Sequence, residues 1–463
     1  MTDTDFSGTV DREQEKLADK LLDIAGKNGA EAAEVFQERS RELSVTFEAN
    51  RLKELTNSES AGTALRLWVD GRPGLAVAYG PVDPKALVER AIALSHLNPP
   101  GRIELADKVD EDVESNMGKN VAAEQLVAWG KEAIGRVRDA YPEVICNSEW
   151  DCEIETTSII NSKGLNRSYT DRTLSCYLES EWVRGDDLLG VSEGQTQRDS
   201  LDPKLIANTL LQRLDWAKAN VPPPTTGRLP ILFTAKAADL FWGIISSALN
   251  GKQVVEKASP WSDKLGERVI STHITIFQQP EAGPYSCPFD DEGTSTQPLV
   301  FIQNGILENF YADRTTGGLL GKGTTGNGFR PGLGSYPKPG LFNLLIKPGT
   351  GQLRDLIAQL EDGLVIDQIL GDAAVSGACR VLKDKSTLQT PQGISGEFSI
   401  NVDLGYLVRD GQIVGRVKDT MVAGNVYQAL KQLVALGGDA DWKGSCYTPS
   451  LIVDGLSVTG KTD

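Results

Sequence analysis

A chain of 463 residues with 47 Lys/Arg against 64 Asp/Glu has a formal net charge of −17. That length predicts two or three domains, and the acidic balance argues against direct nucleic-acid binding, which rests on Lys and Arg neutralising phosphates. No apolar run reaches the roughly 18–20 residues that span a bilayer, and the six cysteines form no Cys-x-x-Cys pair.

The polar start Met1–Phe6 lacks the pattern of a secretion signal, so the expectation is a cytoplasmic protein with reduced thiols. Residues 1–10 are expected to be disordered. Asp11–Lys27 has the apolar spacing of an amphipathic helix, through Leu17, Leu21, Leu22 and Ile24. Ala32–Ser40 and Glu42–Ala49 alternate as strands. Gly62–Val69 and Gly74–Tyr79 predict a hairpin turning at Asp70-Gly71. Asp83-Pro84 opens a helix to about Leu97, with Asp83 as N-cap and Pro84 at the first helical position. An acidic, Pro/Gly-punctuated connection at 98–120 then leads to a second α/β unit. Its helices are predicted over Ala122–Tyr141 and from Asp202-Pro203 to about Asn220. Between them, strands are predicted near Glu143–Glu155, Thr156–Asn161, Arg167–Val183 and Asp186–Glu193. Residues 11–221 thus form an N-terminal α/β domain, and the proline-rich 222–227 a stiff linker.

The C-terminal domain, 228–463, opens with a buried strand, Leu229–Thr234, followed by a helix over Lys236–Leu249. Further strands are predicted over Val269–Gln278, Leu299–Ile302, Gly305–Tyr311, Leu341–Ile346, Val365–Leu370, Gly396–Val402, Tyr406–Arg409, Gln412–Val417 and Leu451–Leu456. Only Gly351–Glu361 and Gly424–Leu436 interrupt them as helices. The fold class is therefore α+β: an α/β domain followed by a mostly antiparallel, barrel-like β domain.

The chemistry-bearing residues form no self-sufficient catalytic set. The two histidines are His96, at a helix end, and His273, among Ser and Thr on a predicted strand, too few for a self-contained zinc hydrolase. Asp290-Asp291-Glu292-Gly293 bunches three carboxylates, which suits a metal or acid–base work but reads equally as an acidic turn. Gly321–Gly328 is rich in glycine without the phosphate-loop pattern. Ser246 and Ser247 lie within a helix with no nucleophile elbow, and Cys446 has no recognisable base.

Several segments in their order resemble the TldD/PmbA family, the "modulator of DNA gyrase" proteins. They are Arg41–Trp68 with Asn57-Ser-Glu-Ser-Ala-Gly62, Pro288-Phe-Asp-Asp-Glu-Gly293, Gly323-Thr-Thr-Gly-Asn-Gly328, Gly396-Glu-Phe-Ser399, Val422-Ala-Gly-Asn425 and Pro449-Ser-Leu through Val458-Thr-Gly460. The resemblance implies a metalloprotease whose TldD branch carries His-Glu-x-x-x-His on the helix after the strand. The matching window here is Trp242-Gly-Ile-Ile-Ser-Ser247, so Trp242, Gly243 and Ser247 replace the first His, the Glu and the second His. Cys446 falls near the family's third-ligand region. The chain accordingly resembles the PmbA (TldE) branch, with no metal of its own. What this implies is a TldD-like partner subunit that supplies the zinc, and unfolded peptides as substrate. Asp290, Asp291, Glu292, Gly326, Asn327, Glu397 and Phe398, all in the shared segments, are the candidates for binding peptide or lining a chamber. Two other readings stay open: a stand-alone hydrolase using Asp290–Glu292 with Cys446, or a non-enzymatic interaction protein acting on gyrase or a toxin system.

Overall fold

The computed structural model describes residues 3–109, 117–224, 226–370 and 394–460, with side chains from residue 14 onward. Helix α1 (Asp3–Lys27) leads into three strands, β1 (Ala32–Glu48), β2 (Arg51–Val69) and β3 (Arg72–Tyr79), and then helix α2 (Pro84–Ser95). Next come α3 (Ala123–Ala140), β4 (Ile145–Asn161), β5 (Asn166–Arg184), β6 (Asp187–Gln197) and α4 (Pro203–Trp216). The side chain of Asp83 caps α2 by accepting from the amides of Lys85 and Ala86, and Asp202 does the same for α4 with Lys204 and Leu205. Helix α1 begins at Asp3, where an unstructured end to residue 10 was expected; no proline stands in this stretch to stop it.

The two α/β units expected from the sequence share one antiparallel sheet of six strands, in the order β3-β2-β1-β4-β5-β6. The paired strand segments expected at 32–49 are one continuous strand, as are those at 143–161. Ala49 and Asn50, both at positive φ, make the tight β1–β2 turn. Helices α1 and α2 cover one end of the sheet through Leu21, Leu87, Val88 and Ala91. Helices α3 and α4 cover the other, burying Trp150, Leu174, Cys176 and Leu178.

In the C-terminal half, β7 (Gly227–Phe233) feeds helix α5 (Asp239–Leu249). A closed barrel of five strands runs from β7 through Leu451–Gly460, Thr420–Asn425, Glu397–Arg409 and Gly363–Ile369 back to β7. The last closure is parallel and the other pairings are antiparallel. One face of these strands, with Ile231, Phe233, Leu364, Ile366 and Leu451, packs with α5. The other face, with Leu232, Val365, Tyr406 and Ile452, shares a core with α4 and the helix Leu353–Leu360, and Tyr406 meets Trp216 of α4 edge-on. Helix α4 therefore lies between sheet and barrel.

Two expectations are corrected. Only Ile276–Gln278 of the expected strand 269–278 is a strand, because the amides of Gly266 and Val269 bond instead to Leu307 O and Gly305 O of the neighbouring hairpin; His273 lies exposed in a turn. The expected helix 424–436 is strand Thr420–Asn425, a short helix Val426–Lys431 and strand Leu433–Leu436. The Asn425 side chain caps the helix by accepting from Gln428 N.

The halves are joined by buried charge. Glu34 on β1 accepts from Arg66 at 3.0 Å and from Arg330 at 2.7 Å, with all three side chains buried. Arg167 on β5 donates to Gly293 O at 3.1 Å and stacks on Phe289, its guanidinium 4.7 Å from the ring centroid. Arg213 on α4 reaches Asp367 on the barrel at 2.8 Å. Removing one partner of a buried pair leaves uncompensated charge, which costs about 3–5 kcal/mol. Glu34→Gln is accordingly expected to lower unfolding stability by about that amount, measured by urea titration.

Candidate functional site

The strand-to-helix passage from β7 to α5 holds Trp242, Gly243 and Ser247, the positions at which the resemblance expects metal ligands and a general base. Phe241, Ile244, Ile245, Ala248 and Leu249 recur at steps of three and four and bury α5 against the barrel core, and Phe241 meets Phe233 edge-on at 4.8 Å. Trp242 is completely buried, and its indole N–H donates to Thr448 Oγ1 at 2.6 Å. Thr448 lies two residues beyond the buried Cys446, on the short strand Cys446–Thr448. Gly243 offers no side chain, while Ser247 Oγ donates back to Gly243 O at 3.1 Å and Ser246 Oγ to Trp242 O at 2.7 Å.

These residues do not fit zinc. An indole N–H is a donor only, and the helix serine hydroxyls donate to the preceding turn. Among the described residues no group of three or more His, Cys, Asp or Glu side chains is placed to hold a metal ion. Thr448→Val leaves the buried indole N–H without its partner and is expected to cost about 1–3 kcal/mol in thermal or urea unfolding.

Asp290, Asp291, Glu292, Gly326 and Asn327 are brought together, as a closed hydrogen-bond network between two loops. Asp290 accepts from the amides of Glu292 at 3.0 Å, Thr294 at 2.9 Å and Gly328 at 2.8 Å. Asp291 accepts from Arg330 N at 2.6 Å and Glu292 from Arg314 N at 2.9 Å. Asn327 donates to Gln278 Oε1 at 2.8 Å and to Gly340 O at 2.9 Å, and accepts from the Thr325 hydroxyl at 2.7 Å. Gly326 adopts a φ of 73° with the Ser295 carbonyl against it, a place with no room for a Cβ. Asp290, Glu292 and Asn327 are sealed from solvent, so in this chain they bind loops rather than face an open chamber. Glu397 and Phe398 lie elsewhere, at the start of a barrel strand. Glu397 is exposed and accepts from Asn425 Nδ2 at 2.9 Å, and the half-buried Phe398 packs on Phe241 with centroids 6.1 Å apart.

Burial pushes the Asp290 carboxyl up to about 6 despite its three amide donors. Burial, then the charge of Asp290, drives Glu292 well above the usual carboxylate range. Glu292 has a single amide donor, against three for Asp290. Because both folded values exceed the unfolded ones, the folded state binds more protons and stability falls as pH rises. For Asp290 that loss runs from its ordinary value of 3.8 to about 6, and for Glu292 it starts at the ordinary 4.5 and extends well above it. Glu292→Gln is expected to flatten the part of the decline that lies above the usual carboxylate range, measured as unfolding midpoints across pH.

A second polar group escaped sequence reasoning. Lys236, in the turn before α5, donates to Ser192 O at 2.8 Å, Ser192 Oγ at 2.9 Å and Gln368 Oε1 at 3.1 Å, and burial lowers its pKa. Beside it Glu193 pairs with Lys443 at 2.9 Å; against the cost of burial, Lys443 and Lys236 hold Glu193 down at about 2. The sheet face opposite α3 and α4 carries Ser44, Glu149, Asp151, Ser175 and Tyr177, with burial pushing Asp151 up to about 7. These residues come from strands far apart in the chain, so no spacing announces them. The one available signal was Lys236 itself, a charge inside a largely apolar stretch.

Comparison with known proteins bears on this arrangement. A family model described as the PmbA/TldA metallopeptidase C-terminal domain matches residues 226–460, and one described as PmbA/TldA metallopeptidase domain 1 matches residues 33–95. The chain is similar to the metalloprotease PmbA homolog of Haemophilus influenzae, at 25% identity over 478 residues, covering 95% of this chain and 94% of that one. Its fold is similar to that of TldE from Thermococcus kodakarensis, with a TM-score of 0.85 at 23% identity over 96% of this chain and 100% of that one. A putative modulator of a DNA gyrase from Thermotoga maritima gives a TM-score of 0.82 at 23% identity, over 96% and 100% of the two chains. With its C-terminal match covering the barrel and α5, the chain belongs to the PmbA/TldA metallopeptidase family, also written TldD/PmbA.

Proposed function

We propose that this chain is the non-catalytic, PmbA/TldE-type subunit of a heteromeric zinc metalloprotease that processes or degrades small unfolded proteins and peptides. The observation that carries the reading is the closed α5 window. In a chain of a metallopeptidase family, the first ligand position is a buried tryptophan bonded to Thr448, the general-base position is Gly243, and the second ligand position is Ser247. The metal and the water it activates then belong to a TldD-type partner carrying His-Glu-x-x-x-His, where zinc would polarise the peptide carbonyl and lower the pKa of its water. This chain's share is structural. Its polar sheet face, with hydroxyls and carboxylates alternating from β1 to β5, suits an extended, solvated peptide better than a folded apolar surface.

The test combines the purified chain with a TldD-type chain bearing the motif, and assays each alone and the mixture for bound zinc and for cleavage of an unfolded peptide. Zinc is expected only where the partner is present, and full cleavage only in the mixture. Metal-dependent cleavage by this chain alone, or a partner that neither binds it nor gains activity from it, overturns the reading.

A further inference from the structure

We draw no further inference here: the strongest candidate, the carboxylate cluster Glu149, Asp151, Glu179 and Glu181 on the sheet face opposite α3 and α4, belongs to the polar surface already described, and nothing among the described residues shows what covers it.

Discussion

Glu34 is the carboxylate on which the two halves of the molecule depend. It is completely buried and shared by Arg66 from the neighbouring strand and Arg330 from the C-terminal loops. Two buried guanidiniums so close would repel each other without it. With it they fix the loops bearing Phe289 and Asp290 beneath the sheet, where Arg167 adds a donor and a stacking face. The stretch from Pro288 to Arg330 is thus held by charge, while α4 meets the barrel by apolar contact. Buried ions stabilise little relative to well-packed apolar groups, but they tolerate few alternative geometries, and that is what a joint between two domains requires.

At α5 the same fold is apolar. A helix that would need two imidazoles and a carboxylate to hold a metal carries an indole, a bare backbone position and a serine bonded to its own helix. The indole adds aromatic packing, and its single N–H is satisfied by Thr448. Strand, helix and the Cys446 strand around this window all contribute to one buried core.

Much of this was legible in the amino-acid order. Asp83-Pro84 and Asp202-Pro203 announced their helices because side-chain capping is local chemistry, and the Asp70-Gly71 hairpin followed for the same reason. The shared segments identified the family. What stayed hidden depends on distance. The alternation at 269–278 resembles a strand, yet its backbone is claimed by a hairpin some thirty residues on. The acidic run at 290–292 read as a metal or acid–base site or as an acidic turn; it is a turn whose Asp290 and Glu292 are buried, because its acceptors meet amides from Gly328, Arg314 and Arg330. Lys236, Ser192 and Gln368 carry no spacing signal at all, since two strands and the turn before α5 bring them together from two domains.

The barrel's closure also constrains the order of events during synthesis. Strand Leu451–Gly460 lies between β7 and Thr420–Asn425, bonded to both. β7, made more than two hundred residues earlier, therefore has no antiparallel neighbour until the ribosome has delivered that strand, and it must wait with its apolar residues uncovered. The N-terminal sheet has no such dependence, because its strands pair among themselves. Vectorial folding would then leave a finished N-terminal sheet tethered to an open half-barrel, the state in which a chaperone would find the nascent chain.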